Sequence, residues 1–173
     1  MKKFISVLMT AVIALSVCSC SKNLNVSRRV SYESLTAEQM KEQADLVVIC
    51  EPTGEARVIP PPEDDPTSVY TEYIARVCGK AKGEAADEIS VRIYGGEYKG
   101  SAYSSTETQL EKGTRYFMYL NKQELNGETV YYCQRGKYGR FIVKADGELD
   151  FAENSCGDDS QNKQIEALYK SAK

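Results

Sequence analysis

Histidine is absent from the 173-residue chain, and this absence narrows the chemistry more than any residue that is present. Histidine is the usual general base near neutral pH and the commonest zinc ligand. Without it the chain holds no Ser-His-Asp triad, no Cys-His pair and no HExxH zinc site. No CxxC occurs among the six cysteines, which argues against a zinc ribbon. The acids are scattered over turn-like stretches such as Glu63-Asp64-Asp65 and Asp158-Asp159 rather than gathered into a constellation. Catalysis would need carboxylates such as Asp45 or Glu97 to converge in a pocket, so neither an enzyme nor a cofactor is expected. No internal repeat is visible, and no apolar run of spanning length follows residue 20.

What is present begins with an export signal. Lys2 and Lys3 form a positive n-region, Phe4 to Val17 is an uncharged run of 14 residues, and Ser19-Cys20 supplies a small residue and a break. Val17-Cys18-Ser19-Cys20 resembles the box read by bacterial lipoprotein signal peptidase, in which the final cysteine is acylated. Cys20 is then the first residue of the mature chain, held on the extracytoplasmic side of a membrane by lipid. Leu15-Ser16-Val17-Cys18 is a poorer second frame, and cleavage to a soluble secreted protein is the alternative.

Removing residues 1 to 19 takes away two lysines and no acid, so the net charge falls from −3 to −5. This argues against nucleic acid and against a polybasic grip on anionic lipid. Roughly 150 residues remain, the size of one domain. Four cysteines lie within it, and export makes Cys50 with Cys78 and Cys133 with Cys156 the favoured disulfides; buried free thiols are the competing account.

The chain divides into a signal at 1–19, a polar tether at 20–35, a β domain at 36–159 and a terminal helix at 160–173. Thr36-Ala37-Glu38-Gln39 is a capping-box pattern that predicts a helix over Ala37 to Gln43. Leu46 to Cys50 is an apolar, β-branched run, expected as a strand buried on both faces. Pro52 and Gly54 signal a bend, and Arg57 to Ser68, with Pro60, Pro61, Pro62 and Pro66, is expected as a stiff exposed loop. From Val69 the period is two, with Tyr73, Ala75 and Val77 opposed to Glu72, Ile74, Arg76 and Cys78. Ile89 to Tyr94 alternates again, Gly95-Gly96 turns the chain, and Tyr98 to Thr108 is expected as a polar loop. Further strands are predicted over Arg115 to Leu120, Thr129 to Gln134 and Arg140 to Lys144, with Asn126-Gly127 as a tight hairpin turn. Six short strands and two short helices predict a mainly β fold, a small antiparallel OB-fold-like barrel of five to six strands.

The order of these elements resembles a known family. Ala44-Asp45-Leu46-Val47-Val48-Ile49, Tyr70-Thr71 leading to Lys82-Gly83, Val91-Arg92-Ile93-Tyr94-Gly95-Gly96-Glu97, Lys112-Gly113-Thr114-Arg115-Tyr116-Phe117-Met118-Tyr119-Leu120 and Gly136-Lys137-Tyr138-Gly139-Arg140-Phe141 follow one another. This is similar to bacterial proteins that resemble the inhibitory domain of tissue inhibitors of metalloproteinases, the netrin-like branch of the OB-fold, over about Gln39 to Gly147. In the animal inhibitors a Cys-x-Cys opens the mature protein, and its free amine and carbonyl chelate the target's zinc. Cys18-Ser19-Cys20 has the same letters, but acylation at Cys20 removes Cys18 with the signal.

The expected role is therefore non-catalytic binding of a protein or glycan. The candidate surface comprises Pro61 and Pro62 in the proline-rich loop, Tyr98 and Tyr103 in the following polar loop, and Arg135 and Tyr138 of a basic patch with Lys137 and Arg140. Inhibition of an extracellular metallopeptidase is the alternative. Twelve tyrosines offer an aromatic platform, although most are expected simply to pack on sheet faces.

Overall fold

The computed structural model describes residues 25–28, 32, 35–105, 108–152 and 159–173. The fold is mainly β. In chain order the elements are β1 (Asn25–Arg28), α1 (Ala37–Gln43), β2 (Leu46–Ile59), β3 (Tyr70–Lys82), β4 (Glu88–Tyr94), β5 (Gly96–Tyr98), β6 (Ser101–Ser105), β7 (Arg115–Leu125), β8 (Glu128–Cys133), β9 (Arg140–Val143), β10 (Leu149–Asp150) and α2 (Asp159–Ser171). A 3₁₀ turn over Gly136–Gly139 joins β8 to β9.

The larger sheet runs β10-β9-β7-β2-β3-β4-β8, with β7 also paired to β8. Each of β2, β3, β4, β8 and β7 thus has two neighbours among the other four. Alternating direction cannot be kept around five strands, and the mismatch falls at β4 and β8, which pair in parallel. β1 and β6 are parallel as well, so the sheets are of mixed orientation rather than antiparallel throughout.

The aliphatic run at the start of β2 explains the layering. Leu46, Val48 and Cys50 point into one core with Tyr73, Ala75, Val91, Ile93, Met118 and Leu120. Val47 and Ile49 point the other way, into a second core with Phe117, Tyr119, Phe141 and the helices, which contribute Met40, Ile165 and Tyr169. Successive strand residues face opposite sides, so a run apolar at every position must be covered twice. α1 and α2 supply the second cover.

The capping box at Thr36 forms: its hydroxyl accepts from the Gln39 amide at 3.2 Å while the Gln39 side chain accepts from the Thr36 amide at 2.9 Å. Lys82, at the end of β3, closes the other end of α1. Its ammonium donates to the carbonyls of Lys41, Glu42 and Ala44 at 2.8, 2.8 and 2.6 Å. Cations at a helix C-terminus satisfy carbonyls that lack an intrahelical donor.

Three local expectations change. β2 continues through Pro52 and Gly54 as far as Ile59, because the register shift between Pro52 and Ala56 absorbs both residues. Only at Pro60 does the ladder with β3 end, as a run of residues without amide hydrogens requires. The polar stretch after Gly95-Gly96 is a hairpin of β5 and β6 rather than a loop, with Tyr98 opposite Ser101. Lys99 and Gly100 both take positive φ, 49° and 74°, as a two-residue turn of type I′ demands. Finally, the segment expected as a tether contributes β1, which lies on β6 with Asn25 beside Ala102 and Arg28 beside Ser105.

Candidate functional site

The structure draws some of the sequence candidates together and separates others. Pro61 and Pro62 lie in a loop folded around Asp65, whose carboxylate accepts from the Thr67 amide at 3.3 Å, from the Thr67 hydroxyl at 2.7 Å and from the Ser68 hydroxyl. The foot of this loop is tied to the end of β4: Tyr94 donates to the Thr67 carbonyl at 2.8 Å and the Gly95 amide to the Val69 carbonyl at 2.7 Å. Tyr98 and Tyr103, both half-buried, follow directly on β5 and β6, so the two loops expected to bind share one end of the molecule. Arg135 and Tyr138 stand apart, on the 3₁₀ turn beside α1. The Arg135 guanidinium and the Lys137 ammonium lie 5.6 and 5.3 Å from the Tyr138 ring centroid, and Tyr32 meets that ring edge-on at 6.2 Å. Arg140 is not on this surface; it is buried and donates to the carbonyl and, at 2.6 Å, the hydroxyl of Thr108.

The cysteine expectations are corrected in one case. Cys50 and Cys78 are not joined and both are free thiols. The register shift after Ile49 sets Cys50 opposite Val77, not Cys78, and the two side chains leave opposite faces. Cys50 is sealed in the first core with its thiol 3.4 Å from the Met118 sulfur, whereas Cys78 is exposed. Burial, with smaller contributions from the Cys133 and Cys78 thiols, pushes the Cys50 pKa far up. Cys133 donates to the Gly136 carbonyl at 2.9 Å. Cys156, and with it the Cys133 pairing, lies outside the described residues, as does Cys20. Iodoacetamide applied to the native, reduced protein should modify Cys78 and leave Cys50 untouched until denaturant is added, because only an accessible thiolate is a competent nucleophile. Peptide masses showing equal native labelling of the two would contradict the burial of Cys50.

The carboxylates named for catalysis do not converge. Asp45 accepts the Lys122 amide at 2.7 Å, and Glu97 stands exposed on β5. Among the described residues no group of three or more His, Cys, Asp or Glu could hold a metal ion. No helix among them is long and apolar enough to cross a membrane.

The most organised polar constellation centres on a residue that strand alternation alone sets opposite the apolar face of β3. Glu72 has a side chain only 2 % exposed. One carboxylate oxygen accepts from Arg57 Nε at 2.7 Å and lies 2.6 Å from Arg57 Nη2; the other accepts from Arg92 Nε at 2.7 Å. Arg92, 12 % exposed, also donates to the Tyr132 hydroxyl at 3.2 Å. Burial works against its charge, the hydrogen bonds to Glu72 and Tyr132 work for it, and the balance raises its already high pKa. Arg57 is largely exposed and reaches Glu128 at 3.7 Å, bridging the β2–β3 arm to the β7–β8 hairpin.

This network floors a groove of ≈ 600 Å³ between Glu55, Ala56 and Arg57 on one side and Ser90, Glu128 and Thr129 on the other. Beyond it Tyr70 packs edge-on against Tyr94 and Tyr132, with centroids 5.7 and 5.5 Å away. The sequence matches no protein-family model and no curated protein. Geometry alone must therefore choose the site. A larger depression of ≈ 790 Å³ between α1 and α2 includes Lys82, but that ammonium spends its three donors on the carbonyls of α1. A third, of ≈ 250 Å³, includes Thr108 and Arg140, which bond each other. The Glu72 groove joins two exposed rim carboxylates, Glu55 and Glu128, to a buried floor charge already matched by Arg57 and Arg92; the α1–α2 depression also carries exposed carboxylates, Glu38 and Glu42, but its cation, Lys82, is taken up by backbone carbonyls.

Proposed function

We propose that the chain is an exported, lipid-anchored, non-catalytic binding module built on an OB-fold-like barrel, and that it takes a basic, extended segment of a protein partner in the Glu72 groove. The observation that carries this reading is the position of the groove. The pairing circuit β2-β3-β4-β8-β7 has the strand order of an OB-fold, in which ligands lie across the second and third strands between the loop after the first strand and the hairpin loop of the last two. The groove lies across β3 and β4, between the end of β2 and the β7–β8 turn. On its rim the exposed Glu55 and Glu128 outnumber the exposed Arg57, so donor-rich lysine and arginine side chains suit it. The neighbouring tyrosines stack on one another instead of presenting a flat face, which favours peptide over glycan.

The test uses full-length protein in detergent on peptide and glycan arrays. Ser90→Trp, which fills the groove, should abolish the hits, while Ile142→Trp on β9, outside the groove, should leave them. Hits that survive Ser90→Trp would overturn the groove, and hits confined to glycans would overturn the peptide reading. Intact mass and fragmentation of the N-terminal peptide decide the anchor. A diacylglyceryl Cys20 is expected; an unmodified N-terminus at Cys18 with oxidised thiols would make peptidase inhibition the better reading.

A further inference from the structure

We infer that the small sheet β1-β6-β5 is the face this protein lays against the bilayer that holds its anchor, with the β5–β6 turn as the point of contact. The inference rests on acylation of Cys20 and adds an orientation to it.

Chain length carries the first step. If the tether ran freely from Cys20 to α1 at Ala37, it would reach ~60 Å when extended, more than the roughly 40 Å breadth of a domain of this size, and any face could meet the membrane. Because Asn25 already belongs to β1, five residue steps remain, with a reach of at most ~18 Å. That is less than half the breadth of the domain. The end of the molecule that carries β1 is the end that faces the lipid.

Strand direction carries the second step. β1 is parallel to β6, with Asn25 beside Ala102. The chain therefore enters β1 at Asn25 from the same side as it enters β6 from the turn at Lys99 and Gly100. The anchor side of β1 and the tip of the hairpin point together. At that tip Tyr98 is half-buried, Lys99 is exposed, and the Lys99 ammonium lies 5.2 Å from the Tyr98 ring centroid. Tyrosine and lysine are side chains that settle at the headgroup level, one through its amphipathic ring and the other by extending its charge to water.

The absence of tryptophan makes the experiment clean, since one introduced indole is the only one in the molecule. Tyr98→Trp in the full, lipidated protein is reconstituted into vesicles containing brominated phospholipid and compared with Glu84→Trp. Glu84, with a side chain 97 % exposed, lies in the β3–β4 turn, at the other end of β4 from the small sheet. Emission from the Tyr98→Trp protein should shift to the blue and be quenched, and emission from the Glu84→Trp protein should change in neither respect. Tyr103→Trp replaces the first variant should that fail to fold. Quenching equal at both positions, or at neither while the protein floats with the vesicles, would overturn the orientation and leave the anchor standing. A protein that lacks diacylglyceryl Cys20 by mass and does not float would remove the anchor and the orientation with it.

Discussion

Replacing Glu72 with alanine is expected to destabilise the protein by about 3–5 kcal/mol, because breaking a buried ion pair strands the remaining charge. The two arginines do not share that loss equally. Arg57, 63 % exposed, returns to water and loses little. Arg92, 12 % exposed, keeps only the Tyr132 hydroxyl, a weak substitute for a carboxylate. Urea unfolding should show a lower midpoint with an unchanged slope. Arg57→Ala should cost under about 1 kcal/mol in the same assay, as exposed pairs do. Combining Glu72→Met with Arg92→Met should recover most of the stability, since a buried pair is seldom better than well-packed apolar groups. A Glu72→Ala midpoint within about 1 kcal/mol of wild type would mean that Arg92 finds water where the structure gives it a carboxylate.

Phe117→Ala is expected to cost about 3–5 kcal/mol as well, by a different route, the cavity left by a large core side chain. Phe117 is fully buried, and the rings of Tyr119 and Tyr169 meet it edge-on with centroids 5.5 Å away in each case. Tyr169 belongs to α2, so the loss should be felt there first. Amide exchange in α2 should accelerate more than in β3 and β4, which line the other core. Uniform acceleration across both cores would mean that they unfold as one unit. Room for repair is small, since Gly79 on β3 lies so close to the Ala172 carbonyl at the end of α2 that a Cβ there would collide with it.

Much of this architecture was legible in the sequence because single residues dictate it. The capping box fixed the start of α1, the run Leu46 to Cys50 announced a strand covered twice, and Asn126-Gly127 marked the hairpin where both residues take positive φ, 53° and 83°. The β5–β6 turn was missed because Lys99-Gly100 performs the same task without asparagine, the usual signal. The length of β2 was missed because Pro52 and Gly54 read as terminators, and only the pairing with β3 reveals that a bulge carries the strand past them. The burial of Glu72 is the feature least legible in the sequence. Alternation placed the residue correctly on the face away from Tyr73 and Ala75, but that face is covered there by Arg57 and Arg92, from β2 and β4. Period-two patterning identifies a face, not what lies over it. No local signal in residues 70–78 could have supplied the two arginines, because both arrive through tertiary pairing.

The two-sided cover of β2 also sets an order on how the chain can be completed. Leu46 to Cys50 is made early in synthesis, yet one of its faces meets β7 residues near 117 and α2 residues near 165. An N-terminal fragment that ends before β7 leaves both faces of this aliphatic pentapeptide short of partners, and one that ends before α2 still leaves the outer face open. A low-charge, β-branched segment without proline is the kind that joins to copies of itself when uncovered. This adhesive stretch is thus synthesised well before the elements that shelter it, which makes the interval before α2 arrives a vulnerable one for the chain.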